Sequence, residues 1–141
     1  MKRKSVRIYS FTGTGSRLAL NLAEKLKQEG YVCTGYTVAR FAEDKRLQRL
    51  NDGWKQEIGA SWGEHALVFI GAAGIAIRAI APFVKDKFTD PPVIVLDEKG
   101  TFAIPLLSGH VGGGVTLAKV LAEYTGGRAV ITTATDVQKK F

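Results

Sequence analysis

Apolar residues recur along the chain with two alternating periods. Residues 5–11 alternate polar and apolar positions (Val6, Ile8, Tyr9, Phe11) and predict a first strand. After Thr12-Gly13-Thr14-Gly15, Leu18, Leu22 and Leu26 recur every four residues. That spacing predicts a helix capped by Ser16, running to about Glu29 and ended by Gly30. Residues 31–38, rich in β-branched and aromatic side chains, predict a second strand. The more polar stretch 39–63 predicts one or two short helices around Leu47 and Trp54. Ala66-Leu67-Val68-Phe69-Ile70 is a continuous apolar run, the pattern of a strand covered on both faces. Beyond Gly71-Ala72-Ala73-Gly74 a helix is expected over 75–81, stopped or kinked by Pro82. Residues 93–96 and 101–107 predict two strands joined by a hairpin turn at Asp97-Glu98-Lys99-Gly100. A helix then runs to Thr125, ended by Gly126-Gly127, and 129–132 forms the last strand.

This alternation predicts one α/β domain over residues 1–141. It would be a three-layer α/β/α, Rossmann-like sandwich with a mostly parallel sheet and a β-hairpin near 93–107. The chain's 141 residues suffice for one core. The longest mainly apolar stretch, 66–84, is broken by small turn-type residues, Arg78 and Pro82, so no membrane span is expected. The basic start, Lys2-Arg3-Lys4, is followed by too short and mixed a segment for a signal-peptide core. A lone cysteine, Cys33, excludes an internal disulfide and fits a reducing cytoplasm.

The formal charge of +7 first suggests a polyanion partner. Five of the 20 basic residues are Lys2, Arg3, Lys4, Lys139 and Lys140, which leaves 15 against 13 acidic ones over 5–138. With no basic and aromatic interleaving, nucleic acid is not the expected partner.

The glycine loops carry more. Gly13/Gly15, Gly71/Gly74 and Gly109/Gly112/Gly113/Gly114 each follow a strand and open a helix. Helix N-termini present unpaired N–H groups, and glycine admits a ligand close to them. Gathered at the carboxyl edge of one sheet, the three loops would cradle carboxylates or phosphates. The plainer account is that glycines make tight turns. A dinucleotide fits less well: Leu18 stands where the third fingerprint glycine belongs, although Arg40 is placed for a 2′-phosphate, which keeps an NADP-binding domain as an alternative. No metal site is expected, since His65, His110 and Cys33 are far apart in sequence and His65 reads as a rim residue beside Glu64. His110, among glycines, has little local packing and points to a ligand or to a hydrogen bond with a neighbouring loop. Ser108 and His110, two apart on an extended segment, would share a side. Asp97-Glu98 supplies two carboxylates, otherwise a solvated hairpin tip. Thr132-Thr133-Ala134-Thr135-Asp136 concentrates polar side chains after the last strand, for binding or as a helix cap.

Taken in order, these segments form a distinctive series: Gly71-Ala72-Ala73-Gly74-Ile75, Arg78-Ala79-Ile80-Ala81-Pro82, Lys87, Asp90-Pro91 and Asp97-Glu98-Lys99-Gly100. It continues with Leu106-Leu107-Ser108-Gly109-His110-Val111-Gly112-Gly113 and Val130-Ile131-Thr132-Thr133-Ala134-Thr135-Asp136. Over residues 66–138 the chain resembles the CbiG family of cobalamin biosynthesis, and over 5–38 it does so in layout. The resemblance implies a cobalt-precorrin-5A hydrolase, which opens a δ-lactone of a tetrapyrrole and releases acetaldehyde. It implies no cofactor, cobalt arriving inside the substrate. It also implies that the chain is the N-terminal part of such an enzyme, the usual C-terminal domain or a partner chain lying outside it. Oligomeric state is left open, a dimer included. Where the family has Ala-Asn after the glycine pair, this chain has Gly114-Val115, so a polar contact is lost or met otherwise.

For that chemistry His110 is the expected general base, with Asp97, Glu98 or Asp136 to orient it or supply the acid. Backbone N–H groups of Gly112–Gly114 and of Gly71, Ala72, Ala73 and Gly74 are the expected oxyanion and carboxylate contacts. Arg78, Gly13, Thr14, Gly15, Ser108, Gly109, Thr133 and Thr135 complete the expected substrate-binding set. The runner-up is a non-catalytic tetrapyrrole-binding module that a further domain completes.

Overall fold

A computed structural model describes residues 4–107 and 113–134. In chain order the elements are β1 (Ser5–Ser10), α1 (Gly13–Gln28), β2 (Val32–Thr37), β3 (Leu47–Arg49), α2 (Trp54–Ala60) and β4 (Ala66–Ile70). They continue with α3 (Ala73–Ile80), β5 (Val93–Leu96), β6 (Phe102–Leu107), α4 (Gly114–Thr125) and β7 (Arg128–Ala129). Single 3-10 turns follow β2 and α3, at Ala39–Phe41 and Ala81–Phe83.

The seven strands form one sheet in the order β3-β2-β1-β4-β5-β6-β7. The first five are mutually parallel. β6 turns back antiparallel to β5, and β7 follows β6 in parallel. The mostly parallel α/β sandwich and the hairpin both appear as the hydrophobic pattern predicts. A bulge between Val93 and Ile94 accommodates Pro105, which has no N–H for a regular ladder.

Both faces of the central strands are buried, which explains the unbroken apolar run of β4. Val68 and Ile70 face α1 and α4 in one cluster with Leu22, Leu26, Leu117 and Leu121. Leu67 and Phe69 face the opposite cluster, with Ile58 of α2 and Ala76, Ala79 and Ile80 of α3. Fully burying each such side chain contributes ~1.5–3 kcal/mol. On that second face Tyr9 stacks between Tyr36 and Phe69, ring centroids 5.1 Å from each. Its phenol is pushed up to about 12, chiefly by burial.

Some local expectations shift. α1 begins at Gly13, and Thr12 rather than Ser16 is its cap, accepting from the Gly15 N–H at 2.9 Å. Ser16 lies inside the first turn, where its buried hydroxyl meets the Thr12 carbonyl and the Thr37 hydroxyl, each at 2.7 Å. Leu47 stands in strand β3, not a helix. Gly35 opposite has no side chain, and a Cβ there would lie 2.6 Å from Leu47. α3 starts two residues early, and the last strand shortens to Arg128–Ala129.

The segment returning from α3 to β5 is pinned by buried Asp90. Its carboxylate accepts from Trp62 Nε1 at 3.0 Å and from the backbone N–H groups of Lys85 and Asp86 at 3.0 and 3.1 Å. Burial alone would raise this carboxyl, but those hydrogen bonds outweigh it and hold it below the ordinary range.

Candidate functional site

Strand direction decides which loops can meet. β1 and β4 end at one edge of the sheet, so the Gly13/Gly15 and Gly71/Gly74 loops share the carboxyl edge. The β5–β6 turn reaches the same edge. β6 then runs back, Leu107 pairing with Val93 at the start of β5. The segment after β6 therefore leaves from the amino edge, where β1, β4 and β5 begin. Across six-residue β6 the two edges are separated by roughly 17 Å, at ~3.3 Å per residue. Among the described residues, Gly113 and Gly114 therefore lie at the edge opposite Gly13/Gly15 and Gly71/Gly74. Asp97 and Glu98 sit at the opposite end of the hairpin from Leu107.

At the carboxyl edge the polar groups are largely committed to the fold. Glu98 accepts from the Thr12 hydroxyl at 2.8 Å, tying the hairpin tip to the start of α1. Asp97 accepts from the Phe102 N–H at 2.7 Å. Its burial is outweighed by hydrogen bonds from the backbone N–H groups of Phe102, Thr101 and Lys99, which keep it ionised below the usual carboxylate range. Asp97 is thus a turn residue.

Gly15 serves packing, since a Cβ there would press on Thr12 Oγ1 at 3.0 Å and on the Ile70 methyl at 3.3 Å. Phe41 stands over Gly13, 3.5 Å from where its Cβ would be. Thr14 accepts from Arg17 at 3.3 Å. A pyrophosphate placed on this helix start would meet the Glu98 carboxylate, and Arg40 lies over the Phe41 ring at 5.5 Å to its centroid. The carboxylate counts against the NADP alternative, while Arg40 lines the same cleft as Gly13. Gly71, with φ at +147°, takes a conformation that favours glycine. Ala72 and Ala73 are exposed at the start of α3, and the Arg78 guanidinium folds back over Gly74.

At the carboxyl edge a cleft of about 410 Å³ is lined by Gly13, Arg17, Arg40 and Phe41 among others. The amino edge has one of the same size, lined by Lys4, Ser5, Tyr31, His65, Gly113 and Thr116 among others. Ser5 Oγ and His65 Nδ1 are 2.6 Å apart and hydrogen-bonded. Gly113, left-handed at φ +87°, turns the chain into α4, whose first N–H groups open beside this cleft. Gly114 and Val115 are buried. Val115 packs inward rather than leaving a gap where the family's asparagine would stand. Thr133 follows β7, which also runs toward this edge. Ser108, Gly109, His110, Gly112, Thr135 and Asp136 lie outside the described residues.

Sequence reasoning missed Ser5 and set His65 aside as a rim residue. The only local signal for the pair was two polar residues, Ser5 opening β1 and His65 just before β4. Burial first, and the Arg7 charge second, lower the His65 pKa from the ordinary 6.5, with Glu64 opposing. The fold thus favours the neutral ring. Its contribution to stability is complete above about pH 6.5 and is lost as pH falls through the lower folded value. The melting temperature of the natural chain should therefore decline relative to His65→Gln between pH 7 and 5. A difference that stays constant over that range would show that folding does not perturb the ring.

Comparison with known proteins places these features. The family described as "Cobalamin synthesis G N-terminal" matches residues 58–136. A cobalt-precorrin-5A hydrolase of Salmonella typhimurium is 40% identical over 149 residues, covering 99% of this chain and 38% of that protein. One from Priestia megaterium is 32% identical, covering 98% and 37%. Among solved structures, a cobalamin biosynthesis protein G homologue from Sulfolobus solfataricus superposes with a TM-score of 0.70 at 25% identity, covering 94% of this chain and 39% of that one. The chain thus spans less than two fifths of the length of these relatives.

Proposed function

The chain belongs to the cobalamin synthesis G N-terminal family, and from that membership we propose that it serves cobalt-precorrin-5A hydrolysis. Water adds to the lactone carbonyl, and the ring C–O bond breaks to leave a carboxylate and a hydroxyl. Cleavage of the adjacent C–C bond then releases acetaldehyde, the bonding electrons passing into the macrocycle. Cobalt belongs to the substrate.

One observation carries the location of this chemistry. β6 and β7, which lead into the Ser108–Gly114 and Thr132–Asp136 segments, both run to the amino edge, beside the cleft of Ser5 and His65. In this reading His110 takes the proton of the attacking water, and Asp136 orients it or supplies the acid. Backbone N–H groups at Gly112–Gly114 hold the developing oxyanion, with Ser108, Gly109, Thr133 and Thr135 on the substrate's polar rim. Such donors, aimed where charge develops, are each worth ~3–4 kcal/mol. Gly13, Gly15, Gly71, Gly74 and Arg78 lie on the other edge and stand outside this set.

A second reading is favoured by length. With more than three fifths of the relatives lying outside the match, this chain would bind the tetrapyrrole at a site that a further domain completes. Acetaldehyde release from cobalt-precorrin-5A separates the two. It should be measured with the chain alone and with the chain substituted for the matched part of the Salmonella typhimurium relative. Release by the chain alone supports a self-sufficient site, and release by the chimaera alone supports the shared one. Release by neither, with the intact relative active as control, rejects both.

A further inference from the structure

Two polar side chains from different strands meet at the amino edge, outside the set assigned to the chemistry above. Ser5 opens β1, His65 stands just before β4, and the two strands pair in parallel with Val6 opposite Ala66. That register sets Ser5 beside His65, with Oγ 2.6 Å from Nδ1. Both side chains are half-buried, and both line the amino-edge cleft together with Lys4, Glu64, Gly113 and Thr116.

The contact bears on how the ring is used. A neutral imidazole has one donor nitrogen and one acceptor nitrogen. At 2.6 Å the contact is shorter than the ~2.7–3.2 Å of an N–H donor to oxygen, and it suits a hydroxyl donor. The Ser5 hydroxyl then donates, Nδ1 accepts, and the ring proton sits on Nε2. Burial and the Arg7 charge favour the neutral ring, with Glu64 opposing. Nε2 is thus an N–H with no hydrogen-bond partner among the described residues, on a ring that lines the cleft.

We propose that His65, set in this tautomer by Ser5, is a substrate-binding residue whose Nε2–H donates to a carboxylate of the tetrapyrrole. A neutral N–H can hold an anionic oxygen without competing for its proton, and it needs no counter-charge while the cleft is empty. Lys4 on the same cleft adds the positive charge that a carboxylate would meet, and Glu64 is the charge that opposes it. The plainer account is that the pair ties β1 to β4 and takes no part in binding. The proposal rests on the reading that places the substrate at the amino edge, and its test separates the two.

Two substitutions distinguish the donor from the tie. An asparagine amide reaches about as far as Nδ1, and a glutamine amide about as far as Nε2. In the chimaera described above, His65→Asn keeps a group for Ser5 and loses the outer donor, whereas His65→Gln keeps the outer donor. His65→Asn should weaken cobalt-precorrin-5A binding by about 10-fold or more, the usual worth of a hydrogen bond to a charged group, and change turnover of bound substrate by less than about 3-fold. His65→Gln should stay within about 3-fold of the natural residue in both. Equal binding by all three, or a loss in His65→Gln as large as that in His65→Asn, overturns the proposal. Nitrogen-15 spectra of the imidazoles give a readout that needs no substrate. At about pH 7.5, above the ordinary histidine range, the signals that His65→Asn removes should show a bare Nδ1 and a protonated Nε2, and Ser5→Ala should release that preference. The reverse tautomer overturns the proposal and leaves the reading of the site standing. Failure of the unsubstituted chimaera to bind cobalt-precorrin-5A, with the intact relative binding it as control, removes the reading and the proposal together.

Discussion

Replacement of His110 by alanine should slow acetaldehyde release by roughly 10²- to 10⁴-fold, the usual contribution of a positioned general base. The expectation follows from what the amino edge supplies. Lactone opening by a general base requires an unprotonated group whose pKa lies not far below pH 7, within reach of a water. An imidazole, ordinarily near ~6.5, meets the first requirement. Asp97 does not, since its carboxylate is held by three backbone N–H groups and belongs to the turn. Glu98 is engaged by Thr12 at the far edge. His65 is the other imidazole of the chain, and its Nδ1 is hydrogen-bonded to Ser5. The assay is single-turnover release with the chimaera, alongside tetrapyrrole binding followed by absorbance. His110→Ala should keep binding and lose turnover. Unchanged turnover with substrate bound removes His110 as the base, and a matching loss in His65→Ala would transfer that role.

A second large effect is expected far from any chemistry. Gly127→Ala should destabilise the chain by about 2–4 kcal/mol and lower its melting temperature by roughly 5–15 °C. A Cβ at Gly127 would collide with the carbonyl oxygens of Gly100 and Thr101, which are backbone and cannot swing aside. The same spot holds three elements together. The Gly127 N–H donates to Ala122 at the end of α4, the Arg128 N–H donates to Thr101 at 2.8 Å, and the Thr125 hydroxyl donates to Gly100 at 2.7 Å. Pushing Gly127 outward therefore parts β7 from β6 and α4 from the hairpin at once. Gly53→Ala is the control: its Cβ would meet only side-chain atoms at 3.6 Å or more, and it should cost under about 1 kcal/mol. Thermal unfolding of both variants checks the contrast. Equal, small losses would mean that the hairpin yields more readily than its backbone contacts imply.

Much of the fold was legible in the sequence because its strongest signals are long. The run Ala66–Ile70 advertises a strand buried on both faces, and the Leu18, Leu22, Leu26 series advertises a helix, whatever surrounds them. β3 was not legible. Three residues carry too little pattern, and Leu47 is placed by the empty space at Gly35 rather than by its own neighbours. The edge at which Gly113 and Gly114 lie was not legible for a different reason. Each glycine loop was read correctly as a strand-to-helix turn, and so was the hairpin at 97–100, but their combination was not followed through. A hairpin reverses direction, so every strand-to-helix turn after it opens at the opposite edge. The Ser5–His65 pair was illegible because 60 residues separate its members, and only the parallel registers of β1 with β4 bring them together.

The reversal at β6 also bears on the order in which the molecule assembles. β5 and β6 form the sheet's only pairing of consecutive strands through a short turn among the described residues; most other neighbours require a crossover. Hairpins close in ~1–10 μs, whereas contacts distant along the chain must first overcome loop-closure entropy. The β5–β6 ribbon is therefore the natural early piece, and it already fixes which way Leu107 points. The edge that receives the Ser108–Gly114 segment is thus chosen by a local event, before the strands that complete the cleft have joined the sheet.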